Sequence, residues 1–198
     1  MRNVKYCVGV SLVGYLASSD GSFEWLERAA STAKGEDFGM TALFKSIDTV
    51  LMGRRTFEVA VKMGGGGYPK VKNYVVSRTL PPGERNGVEI ISADPAKFVA
   101  ALKKRPGKDI YLSGGGELAR ELLRKGLVDQ IELGVVPVLV GVGIPCLPPD
   151  FPETDLELTQ CKQYKAGILG LTYRVFKRSA KNAKARTKTK KKSTAKRN

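Results

Sequence analysis

The sequence predicts an α/β fold with a mixed, mostly parallel central sheet of about eight strands flanked by helices. Short apolar segments of strand character alternate with amphipathic helical segments through most of the chain. The last two segments, residues 156–164 and 169–177, are both strand-like and are joined only by residues 165–167. This short connection predicts a C-terminal antiparallel hairpin.

Positive charge is concentrated at one end of the chain. The 198 residues contain 34 Lys and Arg against 19 Asp and Glu, a formal net charge of +15. Eleven of the basic residues and none of the acids lie in residues 177–198. Composition therefore predicts a single folded domain over residues 1–177, followed by a basic, disordered tail over residues 178–198.

The residue types that are missing exclude several kinds of site. The chain has no histidine, which excludes Ser-His-Asp and Cys-His hydrolases and histidine-ligated zinc. Cys7, Cys146 and Cys161 show no C-x-x-C spacing and predict buried, reduced thiols in a cytoplasmic protein. We predict no metal site. The longest apolar run, residues 133–147, is interrupted by prolines and glycines and predicts no membrane span.

The first part of the chain predicts two strands with a helix between them. Residues 4–13 form a strand that leads, through a polar turn, to a loop with Glu24 and the only tryptophan, Trp25. Such a tryptophan either anchors the loop on the core or lines a pocket. A short helix over residues 37–46 precedes a buried strand, residues 49–52.

Later segments complete the sheet. Residues 88–91 predict a strand, and Asp94 followed by proline predicts the start of a helix over residues 96–105. The connection over residues 137–145 is too apolar for an ordinary solvent-facing loop. We expect it to contribute to a surface for a partner chain.

Three predicted strands end in groups that suit a phosphate. They are Gly53, Arg54, Arg55 and Thr56 after residues 49–52, Ser77 and Arg78 after residues 74–76, and Gly114, Gly115 and Gly116 after residues 110–112. Glycine at a strand-to-helix corner lets backbone N–H groups approach a phosphate, and the helix dipole favours negative charge. The alternatives are a tight turn for the glycines and ordinary surface charge for the arginines.

The order of these corners favours one shared groove. In open α/β sheets, ligands collect beyond the carboxyl ends of parallel strands. A glycine corner for a pyrophosphate, with several arginines for an additional phosphate, predicts NADPH in preference to NADH. A classical dinucleotide fold does not fit, because the next strand, residues 130–136, runs into Pro137 where an acidic residue is expected.

Taken in order, these motifs resemble the dihydrofolate reductase superfamily, in particular the reductase domain of riboflavin-biosynthesis deaminase/reductases and its stand-alone bacterial relatives. The resemblance extends from residue 3 to about residue 176. The matching segments are residues 11–17 (SLVGYLA) with 23–26 (FEWL), 48–58 (DTVLMGRRTFE), 75–78 (VVSR), 110–116 (IYLSGGG), and 126–129 (GLVD) with 137–145 (PVLVGVGIP).

The resemblance implies a single dihydrofolate-reductase-like domain that binds NADPH. Gly53, Arg54, Arg55 and Thr56 match the cofactor-phosphate motif, Ser77 and Arg78 the strand end for the adenosine 2′-phosphate, and Gly114, Gly115 and Gly116 the pyrophosphate triplet. Leu16 and Ala17 match the loop that covers the nicotinamide. In folate reductases the first peptide of the triplet is cis, which makes Gly114–Gly115 a candidate for a cis bond.

Two positions bear on the substrate side. Stand-alone relatives usually have an aspartate where this chain has Val13, so a carboxylate expected beside nicotinamide and substrate is missing. Asp37 lies where folate reductases carry their substrate-binding carboxylate, although an acid there also suits helix capping. Val13 and Trp25 are predicted to lie on the substrate side.

We therefore expect a cytoplasmic, NADPH-dependent reductase that transfers hydride to a C=O or C=N group of a small heterocyclic or sugar-like substrate. The proton would come from Asp37, Glu24, a tyrosine or water. One alternative is reduction of an aminopyrimidine ribosyl phosphate, as in riboflavin synthesis. Another is a nucleic-acid-associated protein that uses the basic tail. The resemblance also implies a homodimer, formed through residues 137–147 and the C-terminal hairpin.

Overall fold

The structure is a computed structural model that describes residues 1–151 and 153–176. The tail predicted for residues 178–198 lies outside the described residues. The described helices are α1 (Glu24–Thr32), α2 (Met40–Ser46), α3 (Arg54–Lys62), α4 (Pro95–Lys104) and α5 (Gly116–Arg124). The described strands are β1 (Val4–Ser11), β2 (Tyr15–Ser18), β3 (Ile47–Gly53), β4 (Lys72–Val76), β5 (Gly83–Arg85), β6 (Val88–Ile91), β7 (Asp109–Gly114), β8 (Gln130–Val136), β9 (Gly143–Pro145), β10 (Leu156–Gln163) and β11 (Leu169–Val175).

Nine of these strands form one sheet in the order β10-β11-β8-β1-β7-β3-β4-β6-β5. The six central strands, β8, β1, β7, β3, β4 and β6, are parallel to one another. The remaining strands, β10, β11 and β5, run antiparallel to their neighbours. The predicted α/β fold, with its mostly parallel sheet and C-terminal hairpin, is confirmed. The additional strand is β5, an exposed edge strand whose sequence, Gly-Glu-Arg, carries no strand pattern. β2 and β9 form a separate small antiparallel sheet.

Helices cover both faces of the sheet. On one face, α4 and α5 pack over a cluster that includes Leu51 and Leu112. On the other face, α2 and α3 pack over a cluster that includes Val50 and Met52. Neighbouring residues of β3 thus point into different clusters, as expected for a strand buried on both faces.

The segment around Trp25 is the start of α1, and the predicted loop there is wrong. Trp25 and Ala33, at helical spacing, are buried against Val136 and Ile168. α1 packs closely on β1, as a Cβ built on Gly9 would stand only 2.9 Å from a methyl carbon of Leu26. This helix is stabilised by strands that lie far away in sequence, which the local pattern did not reveal.

Two other helix starts follow from local chemistry. The helix predicted from residue 37 begins only at Met40, because Gly39 has a φ of +81° that no helical residue adopts. α4 begins as predicted, with the Asp94 carboxylate accepting a hydrogen bond from the Lys97 N–H at 2.8 Å.

Two buried cations link distant elements at the amino edge of the sheet. Lys103 of α4 is 2 % exposed, pairs with Asp129, and donates to the Leu127 carbonyl at 3.0 Å. Arg2 is likewise buried, pairs with Asp48, and donates to the Thr49 hydroxyl at 2.6 Å. Each cation has a carboxylate partner and a further oxygen acceptor, as buried charge requires.

The cysteines are free, and their environments differ. Cys7 is buried, Cys146 is half-buried and Cys161 is exposed. The prediction that all three are buried is therefore wrong for Cys161, which lies on the edge strand β10. No helix in the described part of the chain is long and apolar enough to cross a membrane.

Candidate active site

The chain changes its direction across the sheet between the neighbouring strands β3 and β7. After β3, α3 leads to β4 on one side, and after β7, α5 leads to β8 on the other. The two helices lie on opposite faces of adjacent parallel strands. Such a topological switch point is where open α/β sheets bind ligands, beyond the carboxyl ends of the strands. The predicted corners at Gly53 and Gly114 both lie here.

The two corners are in close contact. A Cβ on Gly53 would stand 3.8 Å from the Gly115 nitrogen, and a Cβ on Gly114 would stand 3.3 Å from the Thr56 hydroxyl oxygen. The Gly114–Gly115 peptide is cis, as the resemblance implied. Neither α3 nor α5 has a side-chain cap at its N-terminus among the described residues. Backbone N–H groups of two helix starts thus meet where side chains are small, a geometry suited to a diphosphate.

The predicted arginines have different partners. Arg54 donates to Glu58 at 2.7 Å, one turn along α3. Arg55 and Arg78 are exposed and form no ion pair within residues 1–151 and 153–176. Because β4 pairs with β3 up to the Val76–Gly53 position, the turn with Arg78 follows directly beside the Gly53 corner.

Ser77 shapes the turn that carries Arg78. Its side chain is buried, and its hydroxyl accepts hydrogen bonds from the N–H groups of Thr79 at 3.1 Å and Leu80 at 2.9 Å. The predicted role of Ser77 in binding phosphate stays a prediction. Its contacts are those of a residue that fixes the turn.

A cleft begins where β1 and β7 separate. Their pairing ends at Tyr6 and Leu112, yet β1 continues beside β8 as far as Ser11 and Val136. At the end of β1, Leu12 and Val13 are exposed, by 62 % and 53 %. Apolar side chains thus extend from the strand end at which the resemblance implies an aspartate.

The segment predicted to cover a nicotinamide belongs to the small sheet. Leu16 and Ala17 lie in β2, and Ala17 pairs with Ile144 of β9. Beyond β9, Cys146 donates its N–H to the Gly14 carbonyl at 2.9 Å. A Cβ on Gly116 would stand 2.8 Å from the carbonyl oxygens of Pro145 and Cys146. The small sheet is therefore seated on the first turn of α5, next to the glycine corner.

The two predicted catalytic acids are exposed. Asp37 accepts hydrogen bonds from the N–H groups of Gly39 at 3.0 Å and Thr41 at 3.2 Å, and these bonds lower its pKa. This is a capping geometry for α2. Glu24 is the first residue of α1. Their catalytic roles stay predictions.

Trp25, predicted on the substrate side, is anchored in the core and also borders a surface pocket. The pocket has a volume of about 350 Å³ and is lined by Trp25, Arg28, Ala29, Thr32, Val136, Pro137, Val138 and Ala166. Both alternatives for the tryptophan, anchoring and pocket lining, therefore describe it. The indole Nε1 is buried without a hydrogen-bond partner in the described structure.

Sequence reasoning missed Tyr68 as a site residue and left Ser113 without a role. The Tyr68 hydroxyl lies 3.1 Å from the Ser113 oxygen, beside the glycine corner. Tyr111 lies below them, and its burial raises its pKa well above the usual range. The neighbouring Tyr68 adds to this increase. Strand alternation from Tyr111 could have placed Ser113 on the same face, but no sequence signal brings Tyr68 to it.

The chain is similar to curated proteins over most of its length. It matches the model of the RibD C-terminal domain over residues 2–169. Uncharacterized protein YwjB of Bacillus subtilis (strain 168) is 33 % identical over 169 residues, which cover 84 % of this chain and 95 % of YwjB. Uncharacterized protein YyaP of the same organism is 28 % identical over 188 residues, 87 % of this chain and 94 % of YyaP.

Solved structures share the fold. A Shewanella sp. PV-4 protein superposes with a TM-score of 0.75 at 23 % identity, covering 89 % of this chain and 100 % of that one. Dihydrofolate reductase from Enterococcus faecalis, complexed with NADP(H), gives 0.60 at 16 % identity, with 88 % and 97 % covered. The deaminase/5-amino-6-(5-phosphoribosylamino)uracil reductase of Thermotoga maritima gives 0.58 at 13 % identity, with 88 % of this chain and 57 % of that chain covered. With the family match over residues 2–169, the chain belongs to the RibD C-terminal domain family.

Proposed function

We propose that this protein is a cytoplasmic NADPH-dependent oxidoreductase that reduces a C=O or C=N group of a small heterocyclic or sugar-like substrate. The observation that carries the proposal is the meeting of two uncapped helix starts at Gly53 and Gly114–Gly116, at the switch point of the sheet. Membership of a family named for a riboflavin-biosynthesis reductase domain supports it.

The residues at the two corners fit the diphosphate of such a cofactor. A Cβ at Gly53, Gly114 or Gly115 would fill space between the corners that a phosphate needs. Thr56 offers a hydroxyl donor in the same place, within 3.4 Å of a Cβ built on Gly115. Backbone N–H groups, a hydroxyl and two helix dipoles together favour an anion there.

Preference for NADPH over NADH would rest on Arg55 and Arg78. Both guanidinium groups are exposed and lack ion-pair partners in the described ranges, so their charge is available to an additional phosphate. Ser77 holds the turn in which Arg78 lies. An arginine can bind a phosphate through two parallel hydrogen bonds, which gives geometric selectivity.

NADPH, when bound, supplies a hydride. The protein's own residues would orient the reactants and exclude water. Leu16 and Ala17, held by the small sheet, would cover the cleft that opens beyond Tyr6 and Leu112. Because the chain has no histidine, a proton must come from Asp37, Glu24, a tyrosine or water.

Reduction of an aminopyrimidine ribosyl phosphate is the alternative within the same fold. The Thermotoga maritima protein that shares the fold is named for reduction of such a compound. Val13, in place of the aspartate usual in stand-alone relatives, counts against it. NADPH oxidation that depends on 5-amino-6-(5-phosphoribosylamino)uracil would establish this activity, and its absence would exclude this substrate.

A function of another class would use the basic tail to bind nucleic acid. Residues 177–198 hold eleven Lys and Arg and no acid, enough to neutralise several phosphates without sequence preference. Binding should fall steeply with salt, and deletion of residues 179–198 should abolish it. Undiminished retention of DNA or RNA by the truncated protein would contradict this role.

We also propose a homodimer. Leu139 and Val142, each 73 % exposed, and Leu158 of β10, 52 % exposed, place apolar side chains at the surface of the segments predicted for the contact. Exposed apolar area of this kind commonly marks a protein partner. A monomer mass in light scattering at micromolar concentration would contradict the dimer.

The decisive test of the main proposal is titration with NADPH and with NADH, followed by nicotinamide fluorescence. Arg55→Ala and Arg78→Ala should each weaken NADPH binding by about 1–3 kcal/mol and leave NADH binding nearly unchanged. The matched control is Arg85→Ala, an exposed arginine on β5 without an ion pair in the described residues. Absence of NADPH binding by the native protein would overturn the proposal.

A further inference from the structure

Ser113 occupies an irregular position in β7 next to the glycine corner. β3 pairs Leu51 with Leu112 and Met52 with Gly114, so Ser113 is the extra residue of a β-bulge. On the other side of β7, pairing with β1 has already ended at Leu112. A bulge leaves the backbone of one residue out of the ladder, and bulges are common beside active sites. The Ser113 side chain keeps the face that it shares with Tyr111, and its hydroxyl lies at the end of β7 next to the glycine corner.

Tyr68 brings a second hydroxyl to this point. Its oxygen lies 3.1 Å from the Ser113 oxygen. Its ring packs against Phe44 and Tyr111, with centroid distances of 5.4 Å and 5.8 Å. The phenol is thus held on one side by aromatic rings and at its tip by a hydroxyl.

The backbone at Tyr68 is held as well. The Tyr68 N–H donates to the Asn73 side-chain oxygen, and the Asn73 side-chain nitrogen donates to the Tyr68 carbonyl, both at 2.8 Å. Asn73 is itself buried. A buried amide that satisfies both backbone groups of one residue fixes where that residue's side chain starts.

The glycines before Tyr68 allow this placement. A Cβ on Gly66 would collide with the Asn86 carbonyl oxygen, and a Cβ on Gly67 with that of Gly87. The Gly67 N–H donates to the Asn86 carbonyl at 3.1 Å. The glycine-rich segment is therefore packed against the turn at Asn86–Gly87, and it delivers Tyr68 to the corner.

Tyr68 and Ser113 are half-buried, whereas Tyr111 beneath them is buried. The Tyr111 side chain interacts with both Ser113 and Tyr68, so three hydroxyls form one cluster. A hydroxyl proton that is not used within such a cluster can be donated outward. In a chain without histidine, a hydroxyl cluster next to the cleft is a way to deliver a proton.

We infer that Tyr68 is the proton donor of the reaction proposed above and that Ser113 positions it; the inference rests on that proposed function. Reduction leaves the former π-electron pair on the oxygen or nitrogen of the substrate. The Tyr68 O–H bond breaks, and its proton forms the new O–H or N–H bond. The phenolate takes the Ser113 hydroxyl proton, and the Ser113 oxygen takes one from water, which restores both groups.

The test compares Tyr68→Phe and Ser113→Ala with the native protein. Tyr68→Phe keeps the ring that packs on Phe44 and Tyr111 and removes only the hydroxyl. The matched control is Tyr74→Phe, which removes the hydroxyl of a buried tyrosine in the opposite cluster, packed on Phe98. The measurements are NADPH affinity by fluorescence, and kcat and KM with 5-amino-6-(5-phosphoribosylamino)uracil as the probe.

Tyr68→Phe should lower kcat by about 100-fold or more while NADPH affinity and KM change little, since the lost group acts in the chemical step. Ser113→Ala should lower kcat by about 10-fold with KM unchanged, and Ser113→Thr, which keeps a hydroxyl, should recover most of it. Tyr74→Phe should behave as the native protein. A Tyr68→Phe kcat within about threefold of the native value would overturn the assignment.

The other outcomes are equally decisive. If the native protein binds no NADPH, the proposed function fails, and the inference fails with it. If it binds NADPH but does not reduce the pyrimidine, calorimetry of the pyrimidine with the NADPH complex replaces kinetics. Tyr68→Phe should then raise the pyrimidine Kd by about fivefold, the loss expected for one hydrogen bond. Equal affinity in both proteins, or no binding to the native one, would overturn the assignment of the hydroxyl pair to the substrate site.

Discussion

Thr56 of α3 packs so closely on Gly114 of β7 that a Cβ on Gly114 would stand 3.3 Å from the Thr56 hydroxyl oxygen. Gly114 also has a φ of +127°, a backbone conformation that residues other than glycine rarely adopt. This contact joins the strand ends on which the proposed cofactor site is built.

Gly114→Ala should therefore lower both the stability of the protein and its affinity for NADPH. The backbone strain should lower the free energy of unfolding by about 1–3 kcal/mol, and the added methyl group should push Thr56 away and weaken NADPH binding. Urea unfolding and NADPH fluorescence measure the two effects. Gly126→Ala is the control, because Gly126 has a φ of +65° but no atoms near its missing Cβ. Equal NADPH affinity in both variants would contradict the role of this contact.

Asp37→Asn separates capping from catalysis. The N–H groups of Gly39 and Thr41 donate to different oxygens of Asp37, and the single side-chain oxygen of asparagine can accept from one of them. Because asparagine caps a helix about as well as aspartate, stability should change little. Because capping accounts for the position of this exposed side chain, we expect the variant to keep the kcat of the native protein. Steady-state NADPH oxidation with 5-amino-6-(5-phosphoribosylamino)uracil as the probe measures kcat. A large loss of kcat with unchanged unfolding would instead establish the catalytic role predicted from the resemblance.

Lys103→Ala should be strongly destabilising. It would leave Asp129, which also accepts from the Val4 N–H at 2.8 Å, without its buried cation. Loss of one partner of a buried pair lowers the free energy of unfolding by about 3–5 kcal/mol. Urea denaturation provides the measurement, and Lys104→Ala, the exposed neighbour on α4, is the control. Similar midpoints for the two variants would show that the pair contributes little.

Protonation of the Asp48 carboxyl should contribute to the loss of stability in acid. Burial opposes ionisation of this carboxyl, but hydrogen bonds from Thr49 and the Lys108 N–H, together with the Arg2 guanidinium, outweigh burial and hold its pKa below the ordinary 3.8. The unfolded chain then binds the proton first, so the stabilisation is complete at neutral pH and is lost as the pH falls below about 4. Unfolding free energies between neutral pH and about pH 3 should decline less steeply for Asp48→Asn than for the native protein. Parallel curves would contradict this assignment.

Local patterns in the sequence were sufficient for much of this protein. The alternation of strand and helix signals predicted the α/β sheet and its hairpin, because apolar periodicity reflects which side of an element is buried. Cap chemistry predicted the start of α4 at Asp94–Pro95 and the end of α5 before Gly126. The corners at Gly53 and Gly114 were visible because glycine between a strand and a helix indicates a tight turn or a close backbone approach.

Only the tertiary structure decided what depends on contacts between segments distant in sequence. α1 is a helix because Trp25 packs on Val136 and Ile168, and β2 is a strand because β9 pairs with it. The hydrogen bonds of Asp37 show that it caps α2, a role that its position in the sequence left open. Tyr68 meets Ser113 across 45 residues of chain through a bulge and a packed glycine segment. Residue type and spacing determine local conformation, whereas such a meeting is set by strand order and register, which no single segment encodes.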